Sequence, residues 1–218
     1  DDVQVLVTDG TITQVSSGVA PGPHDERHPL AIPGIASLHS HAFQRGMAGL
    51  AETRDNSADT FWTWRETMYR FALEMTPEDT EAVATLLYVE MLEQGYTRVG
   101  EFHYLHHDRD GAPYANPAEM ATRIARAAEI SGIGLTLLPS FYAHGSFGGA
   151  PPHAGQRRFI CSVDQFARLT AATLINSTDR AVRMDCWVAW NSAWLRIEKS
   201  GSLPASMRKS ARSAVSSS

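Results

Sequence analysis

His39-Ser40-His41 is the part of this 218-residue sequence whose residue types and spacing most directly suggest chemistry. Residues i and i+2 of a strand point to the same side, so two imidazoles spaced this way can share one cation. The run before them, Leu30 to Leu38, is apolar and β-prone and is broken by Pro33-Gly34. The pair therefore falls at the C-terminal end of a strand, where parallel α/β folds place their active sites. A catalytic zinc site usually has three protein ligands and a water, so the remaining histidines matter. They are His24, His28, His103, His106, His107, His144 and His153, with none after 153. Glu101 and His103 end a second strand and can be read either as contributors to the cation site or as ordinary strand-end polar residues. His106-His107-Asp108 reads as a solvated turn. His144 opens a glycine-rich loop (Gly145, Gly148, Gly149, Gly155) that has neither a P-loop ending nor a dinucleotide fingerprint. It reads as an active-site loop.

Phe61-Trp62-Thr63-Trp64-Arg65 is a dense aromatic cluster. The two tryptophans read as core or helix-packing residues. Arg65 can clamp a carboxylate with two parallel hydrogen bonds. Tyr104, next to the second strand end, can hydrogen-bond an anionic group. There is no G-x-S-x-G and no arguable Cys/His dyad, which speaks against a serine or cysteine hydrolase.

The elements that must position these groups are legible from their punctuation. Asp9-Gly10 between Val3–Val7 and Thr11–Val15 predicts a hairpin. Thr76-Pro77-Glu78 supplies a capping hydroxyl, a proline at the first helical position and an acid in the first turn, and Gly95 supplies the stop. A strand follows from Thr97 to His103. Asn116-Pro117-Ala118-Glu119 repeats the start signal and Gly132 the stop. Ile133 to Phe141 is almost wholly apolar, as expected of a strand buried on both faces. Ser162-Val163-Asp164-Gln165 opens a further helix with a capping box. Strands alternating with capped helices imply right-handed βαβ units and a parallel sheet.

Length and charge bound the rest. A closed (β/α)8 barrel typically needs about 250 residues, so 218 can hold only part of one. The net charge of −5 is uneven: residues 1–169 carry 21 acidic and 12 basic side chains, residues 170–218 carry 3 and 7. An acidic body argues against nucleic-acid binding, and no apolar run reaches membrane-spanning length. Cys161 and Cys186 fit neither a zinc knuckle nor a secreted disulfide scaffold, which points to a reducing, cytoplasmic setting. Asp1-Asp2 has no initiator Met and no signal pattern, so the chain reads as starting inside a longer gene product. From 200 to 218 eight of 19 residues are Ser, which predicts disorder. Trp187, Trp190 and Trp194 recur at helical spacing and read as an amphipathic packing segment.

Pro33-Gly34-Ile35-Ala36-Ser37-Leu38-His39-Ser40-His41 resembles the first barrel strand of the amidohydrolase superfamily. The leading hairpin resembles that superfamily's small β domain. The finer resemblance is to the formiminoglutamate deiminase (N-formimidoyl-L-glutamate iminohydrolase) family of bacterial histidine degradation. It rests on residues 39–52, 61–70, 101–111, 132–149 and 155–160, covering roughly 30–169. The resemblance implies an α/β fold with a partial (β/α)8 barrel of three to four βα units after a small β segment. The domains expected are 1–29, the small β segment; 30–169, the N-terminal part of the barrel; and 170–218, a divergent, poorly ordered Ser-rich tail. It implies one divalent metal, commonly zinc, with His39 and His41 as its first two ligands. Gln44, Arg65 and Tyr104 match positions expected around a small dicarboxylate substrate, and a homodimer is compatible. The third ligand histidine, the metal-binding aspartate and the acid/base groups belong to later strands, so no catalytic residue is assigned in this chain. Asp179 and Asp185 match no motif and receive no role. The tail's changed composition fits a truncated gene, and little activity is expected of the chain alone. Another aminohydrolase of the same superfamily, acting on a purine or triazine ring, and a noncatalytic barrel fragment are the alternatives.

Overall fold

The computed structural model describes residues 2–50, 61–176, 182–184, 186–190 and 193–197, and only the backbone from 174 onward. The Ser-rich segment 198–218, Asp179 and Asp185 lie outside the described residues. The chain divides into two compact units, Asp1–Pro33 and Gly34–Ser218.

The first unit is a hairpin. Strands β1 (Val3–Thr8) and β2 (Thr11–Ser17) pair antiparallel, with Thr8 opposite Thr11. Asp9 (φ 50°) and Gly10 (φ 73°) form the two-residue turn. Both positions need positive φ, which Asp tolerates and Gly adopts freely.

The second unit is built on a parallel sheet of order β3-β4-β5-β6, with β3 at Ile35–Ser40, β4 at Tyr96–His103, β5 at Gly134–Pro139 and β6 at Val182–Met184. Helices fill the crossovers: α1 (Phe61–Glu74) and α2 (Pro77–Glu93) between β3 and β4, α3 (Glu119–Ser131) between β4 and β5, and α4 (Val163–Asn176) between β5 and β6. Thr76 caps α2 in a reciprocal box with Asp79, whose amide donates to the Thr76 hydroxyl at 3.0 Å. Ser162 and Gln165 form the same box at α4. Helix α3 begins later than the Asn116-Pro117 signal predicts. Asn116 instead accepts from the Ala118 amide at 3.1 Å through its side chain, using its capping oxygen on a turn before the helix. Gly132 (φ 83°) ends α3 in the left-handed conformation that a Cβ disfavours.

In-register parallel pairing sets the two faces of the sheet. Val99 lies opposite Leu135 and Glu101 opposite Leu137. Val99, Leu135 and Leu137 are fully buried against Ala84 and Tyr88 of α2 and Ala121, Ile124 and Ala128 of α3. Burying each such aliphatic side chain stabilises by about 1.5–3 kcal/mol. Arg123 ties α3 to α2 through Glu78 and Glu81, at 2.8 and 3.1 Å. Among the described residues β3 pairs with β4 alone, and Leu38 there is 83% exposed.

The helical reading of Trp187, Trp190 and Trp194 is corrected. They lie on β7 (Cys186–Trp190) and β8 (Ala193–Ile197), which pair antiparallel with Ala189 opposite Trp194. The interspersed Val188, Leu195 and Ile197 give these short runs the apolar composition that suits strands better than helix. Among the described residues no helix is long and apolar enough to cross a membrane.

Candidate functional site

His39 and His41 converge at the C-terminal end of β3. Their Nε2 atoms are 3.0 Å apart, and the rings meet edge to face. The His39 ring stacks on Phe102 of β4, with centroids 4.5 Å apart. His41 Nδ1 lies 2.8 Å from the Phe102 carbonyl. A carbonyl can only accept, so Nδ1 carries the proton and the His41 Nε2 lone pair faces His39. Burial holds the His41 pKa below its ordinary value, which keeps the ring neutral.

This arrangement fits a divalent ion in part. Two imidazole nitrogens bound at 2.0–2.1 Å to a tetrahedral metal sit about 3.3 Å apart, close to the spacing found here. A carbonyl that accepts from the other ring nitrogen and fixes the tautomer is the usual companion of a ligating histidine. However, no group of three or more His, Cys, Asp or Glu residues suited to a metal occurs among the described residues. Among the described residues, His39 and His41 are the two imidazoles that converge on this point.

Glu101 and His103 do not join the pair. They flank Phe102 on β4, so their side chains leave by the opposite face of the strand. Glu101 is 1% exposed and accepts from the Ala42 amide at 2.7 Å, just beyond His41. Burial pushes its pKa up to about 7. His103 packs edge-on against His106, with centroids 5.4 Å apart. The solvated turn expected at His106-His107 is likewise overturned, because both residues are buried. Their amides donate to the Arg158 carbonyl, and their Nε2 atoms bond the carbonyls of Ser140 and Ile160.

Of the expected substrate residues, Tyr104 lies against His41 and Gln44 bonds Tyr104, whereas Arg65 bonds Tyr69 and not the histidine pair. Gln44, in the short 3-10 turn Ala42–Met47, donates from Nε2 to the Tyr104 hydroxyl at 2.9 Å. Arg45 of the same turn is held by Glu90 of α2 through two 2.7 Å bonds. The Tyr104 ring touches His41, at 4.8 Å between centroids, and Tyr142, at 5.5 Å. Arg65 on α1 donates from Nε to the Tyr69 hydroxyl at 2.6 Å. The Tyr69 hydroxyl also accepts from Gln156 at 3.2 Å. Gln156 is buried, donates to the Gly145 carbonyl at 2.9 Å and accepts from the His153 amide at 3.1 Å, so it pins the glycine-rich loop beside α1. Tyr69, Tyr142 and Gln156 fall within the stretches that carry the resemblance but have no role in the sequence analysis. No spacing or motif in their own segments marks them, because their partners are distant in sequence.

No family model matches the chain. A curated relative, formimidoylglutamate deiminase from Pseudomonas aeruginosa, is 51% identical over 164 residues, which is 75% of this chain and 36% of that protein. A crystal structure of an amidohydrolase from Brucella melitensis is 57% identical, covers 84% of this chain and 41% of its own, and superposes with a TM-score of 0.80. Atrazine chlorohydrolase from Arthrobacter aurescens TC1, solved in complex with zinc, is 21% identical with a TM-score of 0.64, covering 84% of this chain and 41% of its own. That likeness is one of fold. The chain spans between a third and a half of the length of these relatives. In sequence and fold, the matched part of this chain is homologous to formimidoylglutamate deiminase and to the amidohydrolases.

Proposed function

We propose that the chain carries the opening βα units of a (β/α)8 deiminase that hydrolyses N-formimidoyl-L-glutamate to N-formyl-L-glutamate and ammonia. The observation that carries this reading is the convergence of the His39 and His41 Nε2 atoms at 3.0 Å beside the Gln44–Tyr104 pair. The deiminase relative at 51% identity supports the choice of substrate. The sequential parallel order β3-β4-β5-β6 supports the barrel reading.

His39 and His41 would hold one divalent ion, zinc in this reading, which when bound supplies a hydrolytic water of lowered pKa. His41, fixed by the Phe102 carbonyl, presents a lone pair without reorganisation. Tyr104 and Gln44 offer hydrogen bonds to a carboxylate, and Arg65 offers charge. An anionic, flexible dicarboxylate suits that set better than a neutral purine or triazine ring. The proton-transfer groups are not assigned to this chain. The same proposal includes a cytoplasmic location and leaves room for a homodimer.

The test is ammonia release from N-formimidoyl-L-glutamate by the purified chain with added zinc, alongside zinc binding by the His39→Gln and His41→Gln variants. Zinc uptake that depends on both histidines, with turnover far below that of a full-length deiminase, is the expected result. Zinc uptake independent of both histidines sinks the metal assignment. Turnover of guanine or a triazine in preference to the glutamate derivative sinks the substrate assignment.

A further inference from the structure

Glu101 is the sole buried carboxylate among the described residues, at 1% exposure. Enclosing a carboxylate costs several kcal/mol unless it is bonded on every side. Its bonds lead to one place. Oε1 accepts from the Ala42 amide at 2.7 Å, the Ser40 hydroxyl donates to the same carboxyl group, and Oε2 accepts from Tyr88 of α2 at 3.4 Å. Ser40 lies between the two histidines and Ala42 directly follows the second. The carboxyl group therefore grips the backbone turn from behind, while both imidazoles leave by the other face.

That grip accounts for a local difficulty. The β3–β4 register shifts between Ser37 and Ser40, so ladder hydrogen bonds do not hold the end of β3 evenly. Among the described residues β3 pairs with β4 alone, and its Leu38 is exposed. Without another anchor the His39–His41 segment would be free to fray. Tyr88 connects the anchor to α2, whose ring is fully buried in the main core.

We propose that Glu101 is a positioning residue for the His39–His41 pair. Through Ser40 and Ala42 it holds the turn at which His41 Nδ1 meets the Phe102 carbonyl, and so sets the direction of both Nε2 atoms. What the pair binds rests on the deiminase reading above. How the pair is held does not.

The experiment uses the full chain labelled with 15N-histidine, at pH 8, with His39→Gln and His41→Gln variants to assign the rings. In the wild type His41 shows the Nδ1–H tautomer, the minor form of a free imidazole in water. Glu101→Met keeps the volume and removes the acceptors, whereas Glu101→Gln keeps an oxygen for the Ala42 amide. The expected result is that Glu101→Met returns His41 to the tautomer pattern of a free imidazole and weakens cobalt(II) binding at least tenfold. Glu101→Gln retains the wild-type tautomer and binds cobalt within about threefold of the wild type. An unchanged His41 tautomer in a folded Glu101→Met chain overturns the proposal. Should Glu101→Met fail to fold by near-ultraviolet circular dichroism, Ser40→Ala decides. A shifted His41 tautomer equilibrium is expected there, and a wild-type spectrum overturns the proposal. A wild-type chain that takes up no cobalt defeats the metal reading, and the tautomer comparison alone then judges Glu101.

Discussion

The amide nitrogen of Gln44 lies 2.9 Å from the hydroxyl oxygen of Tyr104, and this contact decides where the tyrosine's own proton can go. The oxygen is already an acceptor, so its O–H is left to donate elsewhere. Burial raises the Tyr104 pKa, so the group stays a donor at any working pH. In the proposed site it donates to a substrate carboxylate. Tyr104→Phe should weaken N-formyl-L-glutamate binding by about 1.5–3 kcal/mol, or roughly 10- to 150-fold. A neutral analogue with both carboxylates amidated should bind the two proteins alike. Calorimetric titration of both ligands makes the comparison, and equal losses for the two would remove the carboxylate role.

Acid should destabilise the chain through its buried histidines. Burial lowers the pKa of His41 and His103 and brings that of His106 from 6.5 to about 4. Below pH 6.5 the unfolded chain takes up protons that the folded chain refuses. The contribution is therefore present above 6.5 and is lost as pH falls towards 4. For His106 alone the loss is of order 3 kcal/mol. Glu101 acts in the opposite sense between its ordinary 4.5 and about 7, because there the folded chain holds the extra proton. Comparing His106→Gln with the wild type at each pH cancels that opposing effect. Urea denaturation should show the variant losing less stability than the wild type between pH 7 and pH 4.5. Parallel pH curves would refute the assignment.

Arg158 is predicted to be among the costliest residues to replace. It is fully buried, and its guanidinium donates to the carbonyls of Ala72, Met75 and His107 and to the Tyr114 hydroxyl. Ala72 and Met75 belong to the end of α1 and the link beyond it, where carbonyls lack helical partners and a cation is favoured. Each acceptor left dry costs about 1–3 kcal/mol. Arg158→Met should therefore destabilise by at least about 3 kcal/mol, read from the urea midpoint. Arg158→Lys, which reaches fewer acceptors, should recover only part of that. Full recovery by Lys would mean that charge alone matters.

These residues also show what the sequence could and could not reveal. The His39-x-His41 pair and the starts of α2 and α4 are local: one strand period, or one turn with its capping side chain, contains the whole signal. The reading of His106-His107 as solvated failed because what buries them is distant in sequence. Their ring partners are Ser140 and Ile160, and their amides bond Arg158. Glu101 was placed correctly at a strand end, but its face depends on register with β3, which no spacing within β4 discloses. Gln156 reaches Tyr69 across 87 positions. At Trp187, Trp190 and Trp194 a spacing of three or four residues fits a helix as well as a short hairpin, and only the β7–β8 pairing separates the two.

Gln156 provides the last test, because it connects the glycine-rich loop to α1. Its side chain bonds the Gly145 carbonyl, the Tyr69 hydroxyl and the His153 amide, while Gly145 itself pairs with Ala150. Gly148 and Gly149 both have positive φ, so the tip gains little order from its own backbone. Besides the Gly145–Ala150 backbone bond, this side chain ties the loop to α1. Gln156→Ala should cost about 1–3 kcal/mol, since the buried Tyr69 hydroxyl and the part-buried Gly145 carbonyl lose their bonds. It should also expose the loop to local opening without global unfolding. Limited proteolysis with elastase, at a protease concentration that spares the wild type, should cut the variant first between residues 145 and 151. Cleavage there at the wild-type rate, with stability lowered all the same, would show that Gln156 supports the core and leaves the loop to hold itself.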